Sequence, residues 1–123
     1  MIKTICALQL NIEKQNSPEE KFDLAIIETV DESFSSFKNL NKEVIYRRLE
    51  NSFKIKKEEI PFKIEVFADA VEQIFGLAAK LIEIRIIEAL CKRFPDFIFL
   101  PKEDNIDFRE YAISLRDFLN HTL

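Results

Sequence analysis

Glycine is almost missing from this sequence: Gly76 is the only one in 123 residues, beside four prolines. One glycine excludes the phosphate-cradling loops of GxGxxG and GxxxxGK type, which need several. Most connections must then be made by Asn, Ser, Asp and Lys. Histidine is as scarce, with His121 alone near the end of the chain. A lone imidazole, without clustered Cys or carboxylates at ligand spacing, builds neither a nucleophilic triad nor a zinc site. No cofactor, no metal and no catalytic residue is expected, and the reading is of a protein that is not an enzyme.

Other absences narrow the class further. The two cysteines, Cys6 and Cys91, form no CxxC pair. With no secretory signal at the N-terminus, they point to a reducing, cytoplasmic setting. Cys91 reads as a small core residue. No apolar run reaches the roughly 18 to 20 uncharged residues of a membrane span, because Lys80, Glu83, Arg85 and Glu88 interrupt the longest one. The formal charge of −4 argues against nucleic acid and against an anionic membrane surface.

What is abundant is phenylalanine, twelve residues with no tryptophan. Phe fills a core without needing a hydrogen-bond partner. Core packing is the simpler reading, and a Phe-lined pocket for a small apolar ligand is the other. The length suits a single domain over 1–123. Cys6, Leu8, Leu10 and Ile12 alternate with polar or small residues, which predicts a short strand over 5–12. Ser17-Pro18-Glu19-Glu20 is a capping box that opens a helix carrying Phe22, Ile26, Val30, Phe34 and Phe37. Ser33, Ser35 and Ser36 read as part of its solvated face.

Asn41 is the expected N-cap of a second helix running to about Phe53, and Lys56–Ile60 suggests one further turn before Pro61. A third helix spans about Phe62 to Phe75, and Gly76 ends it. After Pro95, Phe97–Leu100 is a candidate second strand, although the flanking prolines favour an edge or no sheet at all. Asn105 would cap a last helix, with Phe108, Tyr111, Ala112, Leu115, Phe118 and Leu119 inward.

Residues 77–94, LAAKLIEIRIIEALCKRF, carry twelve apolar residues in eighteen. They cover nearly the whole helix circumference, which predicts a buried central helix. The expected fold is all-α, about five helices around helix 77–94, with a minor two-stranded piece from 5–12 and 97–100. Five helices are too few to cover every face of that helix, so a homodimer is expected. Gly76, Ala78 and Ala79, a small-residue patch, would lie near the interface or at a close helix contact.

Glu83 falls inside the most apolar arc, flanked at helical spacing by Ala79, Ile87, Leu90 and Phe94. A buried carboxylate needs a partner or a raised pKa. Lys80, Arg47 and Arg48 are the expected partners, with a ligand-contacting or switch role as the alternative. The strongest basic face is Lys42, Arg47, Arg48, Lys54, Lys56 and Lys57. Glu43, Glu50, Glu58 and Glu59 interleave with it, so a mixed-charge surface is favoured over a phosphate-binding one.

Four stretches also carry a family resemblance: VDESFSSF at 30–37, EVIYRRLENSFKIKKEEIP at 43–61, AVEQIFGLAAKLIE at 70–83, and the apolar helix that follows. Over about residues 24–94 the chain resembles the Nitrosopumilus output domain, a small archaeal helical family. Residues 1–20 and the C-terminal helix at 105–121 lie outside the resemblance. It departs at Lys54 and Ala78, where members usually or often carry Gly. The resemblance implies a non-catalytic signalling or protein-interaction role with a protein partner. It supplies no catalytic residue.

Overall fold

The computed structural model describes residues 17–101 and 106–121. The first helix, α1 (Pro18–Ser35), starts where the capping box places it. The Ser17 hydroxyl accepts from the Glu20 amide at 3.2 Å, and the Ser17 amide donates to the Glu20 carboxylate at 3.4 Å. Helix α2 (Lys42–Phe53) is capped by the Asn41 side chain, which accepts from the amides of Glu43 and Val44. A 3-10 helix (Lys57–Phe62) leads into α3 (Ile64–Phe75), and a second 3-10 turn (Gly76–Ala78) leads into α4 (Ala79–Arg93). Helix α5 is Phe108–His121. The all-α expectation holds, with no strand among the described residues.

Two expectations need correction. The strand proposed at 97–100 is not one. Phe97 and Phe99 are half-buried against Tyr111 and Phe118 of α5, while Ile98 and Leu100 point to solvent. The segment is held by ring contacts at 5.1 to 5.5 Å instead of a ladder, as Pro on both sides would favour. The proposed pairing segment, 5–12, and the Asn105 cap lie outside the described residues.

The second correction concerns the centre of the fold. Helix α1 holds that position, packing on α2, the first 3-10 helix, α4 and α5. Phe22, Ile26, Val30 and Phe34 make its buried face, joined by Thr29 and Ser33. Ser33 is therefore inside, not on the solvated face. Helix α4 is buried on one side only, through Ala79, Ile82, Glu83, Ile86, Ile87 and Leu90. Its opposite side leaves Leu77 fully exposed, Leu81 61% exposed and Ile84 39% exposed. An apolar circumference gives a helix two faces able to pack, and this chain uses one of them. No helix among the described residues is long and apolar enough to cross a membrane.

The other phenylalanines, except Phe62 at 69% exposed, support the core reading. Phe34 contacts Tyr46, Phe67 and Phe75, and Phe67 meets Phe108 edge-on at 6.1 Å, so the rings tie α1, α2, α3 and α5 together. Each fully buried Phe or Ile is worth about 1.5–3 kcal/mol relative to exposure.

Two residues carry backbone that an L side chain adopts reluctantly. Lys54 ends α2 in the left-handed region (φ 58°, ψ 40°), with its amide and that of Ile55 both donating to Leu49 O. The tight helix end thus survives without the glycine that the resemblance leads one to expect, and it drops Ile55 into the core. The left-handed conformation costs a non-Gly residue about 1–2 kcal/mol, while Gly loses about 0.5–1 kcal/mol more chain entropy. Lys54→Gly is therefore expected to raise unfolding free energy by about 0.5–1 kcal/mol, read by urea denaturation. A loss of stability would show that Lys54 is not strained.

Candidate functional site

The reversal between α3 and α4 builds the only strained junction near a buried charge among the described residues. Gly76 adopts φ 58° and ψ −127°, a conformation that strongly favours glycine, and so turns the chain from one helix into the next. Beyond its own chain neighbours, no atom lies within 4 Å of where its Cβ would stand. Gly76 and Ala78 are exposed and only Ala79 is buried. Within this chain the small-residue patch is thus not a close helix contact, and Gly76 is needed for its dihedrals alone.

One turn on, Glu83 is 4% exposed, as its place on the apolar arc requires. Its expected partners are occupied elsewhere. The Lys80 ammonium donates to the Ile106 carbonyl at 2.6 Å. Arg47 and Arg48 are exposed on α2 and make no bond to it. Glu83 Oε2 is buried with no hydrogen-bond partner among the described residues. This corrects the expectation of a buried ion pair. An unsatisfied buried acceptor typically costs about 1–3 kcal/mol, more if charged.

Electrostatics around Glu83 explain its state. Burial pushes its carboxyl above the ordinary 4.5, and the nearby Glu72 pushes it the same way; Lys80 and Arg109 oppose and Asp107 adds to the rise. Arg109 gives Glu83 little relief because its guanidinium is already shared. It donates to Glu72 at 3.0 and 3.1 Å, to Asp69, and lies 3.6 Å from Asp107. Together Glu72, Gly76, Leu77, Ala79, Lys80, Glu83, Asp107 and Arg109 line a cavity of about 400 Å³.

A second polar cluster forms on the other side of the fold. Asp31 of α1 accepts from Lys42 at 2.9 Å, from Lys57 at 3.1 Å and from the Tyr46 hydroxyl at 3.0 Å. Burial alone would raise its carboxyl, but these three bonds outweigh that effect and hold it at about 2. Tyr46 is correspondingly pushed up, by burial first and by Asp31 second. Lys42 and Lys57 are thus committed to an internal carboxylate. Lys54 donates to Asn51 O, and the Lys56 amide donates to Glu59. Of the six basic residues, Lys42 and Lys57 are thus held by Asp31, while Arg47, Arg48, Lys54 and Lys56 are exposed.

Among the described residues no group of three His, Cys, Asp or Glu is placed to hold a metal ion. His121 is exposed and shares a hydrogen bond with the Asp117 carbonyl of its own helix. Cys91 is exposed, not a core residue, with its thiol 3.3 Å from the Tyr111 hydroxyl. Sequence reasoning missed this contact, and it missed Asp31 as a hub, because both depend on helix pairings that no local spacing reports.

No protein-family model, no curated protein and no solved structure matches this chain.

The two carboxyls give opposite pH dependences. Glu83, raised in the fold, contributes stability below about its ordinary 4.5 that is lost as pH climbs through the raised value. Asp31, depressed in the fold, contributes stability above 3.8 that is lost as pH falls toward about 2. Glu83→Gln should therefore make the protein more stable near neutrality while leaving the acid limb intact, and Asp31→Asn should flatten the acid limb. Melting temperatures from pH 2 to 8 check both, and a Glu83→Gln protein less stable at neutral pH would refute the first.

Proposed function

We propose that this chain is a non-catalytic interaction module that self-associates through the outer face of α4. The observation that carries this reading is the stripe Leu77, Leu81 and Ile84, continued by Glu88 and Cys91. These steps of four, three, four and three residues are the spacing of a coiled-coil seam. Three of the five are large apolar side chains left in water. Beside the stripe lies a mainly apolar groove of about 590 Å³ walled by Ile84, Ile87, Cys91 and Ile106, with Glu88 and Lys92 at its edge.

The occupant that fits is a second copy. An antiparallel two-fold crossing at Ile84 would set Leu77 against the partner's Cys91 and Leu81 against the partner's Ile87. Each copy would lay its leucines in the groove of the other. Such self-complementarity is what an isologous interface requires. A signal-output role, as the resemblance to the Nitrosopumilus output domain implies, would use this association to present one surface to a protein partner.

Leu81→Glu places a charge in the middle of the seam without touching the core. Light scattering of the parent chain at tens of micromolar is expected to give a dimer mass, and Leu81→Glu a monomer mass with unchanged helicity. A monomeric parent across that range would refute the reading.

A further inference from the structure

The cavity at the α3–α4 junction holds one acceptor that nothing in the described fold uses, and we propose that it binds a short alkylammonium there, with Glu83 as the counter-charge. Glu83 stands in the cavity wall with its carboxyl buried and Oε2 unpartnered. A natural fold rarely keeps such a group without a water, ion or ligand to satisfy it.

The lining selects the chemistry. Ionised Glu83, Glu72 and Asp107 against Lys80 and Arg109 leave one net negative charge. Both cations are already spent, Lys80 on a backbone carbonyl and Arg109 on carboxylates of α3 and on Asp107. An anion would find no free donor, and a divalent metal would find no set of three ligands among the described residues. A single N–H donor with a positive charge matches one unpaired carboxylate oxygen. The rest of the wall is Leu77, Ala79 and the Gly76 backbone, which suits a stem of a few carbons.

Binding must also be linked to protons. Glu72 from α3, Lys80 from α4, and Asp107 and Arg109 at the start of α5 are the charged groups that face Glu83. Their balance keeps the empty site's Glu83 protonated to higher pH than usual, so a bound ammonium would expel that proton. Affinity should then weaken by up to about tenfold for each unit of pH lowered below the Glu83 titration.

Titration calorimetry with n-propylammonium at pH 4 and pH 8 tests this on the full chain, with n-propanol and propionate as neutral and anionic probes of the same stem. The expected result is saturable n-propylammonium binding at pH 8, weaker by at least about fourfold at pH 4, which lies below even the ordinary 4.5, and none by the other two probes. Glu83→Gln, which keeps the shape, should abolish binding, and Glu65→Gln, exposed on α3 outside the cavity, should leave it unchanged. No ammonium binding at either pH, equal binding of propanol, or binding retained in Glu83→Gln would each overturn the proposal. If Glu83→Gln fails to fold, equal affinity at pH 4 and pH 8 in the parent chain overturns it instead.

Discussion

The apolar face of α1 has to be covered, and the rest of the described fold is arranged around doing so. Phe22, Ile26, Val30 and Phe34 are all buried beneath α4, α5 and the first 3-10 helix. Charges on the neighbouring face of α1 then fix the angles of approach. Arg93 of α4 donates to Glu28 at 2.5 Å and to Glu32 at 2.8 Å, and Asp31 collects Lys42 and Lys57. Exposed pairs of this kind are worth about 0–1 kcal/mol, against about 1.5–3 kcal/mol for each buried Phe or Ile. Packing therefore decides the fold, and the ion pairs choose among orientations that pack.

Covering α1 has a consequence for α4. Its inward residues Ile82, Ile86 and Leu90 are spent inside the chain, and no other described helix remains to cover Leu77, Leu81 and Ile84. The same helix thus joins an intramolecular face to an apolar outer stripe. Glu83 sits between them in sequence but turns inward with Ile82 and Ile86. There it meets Glu72 from α3 and the α5 end carrying Asp107 and Arg109, so its environment is set by three elements at once.

Local signals in the sequence were strong where the physics is local. Ser17-Pro18-Glu19-Glu20 and Asn41 mark helix starts because a cap involves residues two or three apart, and both caps form. The burial of Glu83 was legible for the same reason, from its apolar neighbours at helical spacing. Its lack of a partner was not, since Lys80 prefers a carbonyl 26 positions away. Nor was the central place of α1: helix 77–94 is the more apolar, but which helix is enclosed depends on long-range packing. Lys54 shows the opposite limit. A residue poorly suited to the left-handed region still occupies it, because Ile55 gains a buried place beyond it.

In the proposed dimer, α4 meets a second copy of itself in the antiparallel register. Leu77 and Cys91 of one chain are fourteen positions apart, about 20 Å along a helix, far too distant for an internal disulfide. Across the two-fold they would be neighbours. Leu77→Cys in a Cys6→Ser background, oxidised under mild conditions and run on a non-reducing gel, measures this directly. A covalent dimer that forms rapidly and disappears when Leu81→Glu is added is the predicted result. A chain that stays monomeric after oxidation, or cross-links equally well with Leu81→Glu, would contradict it.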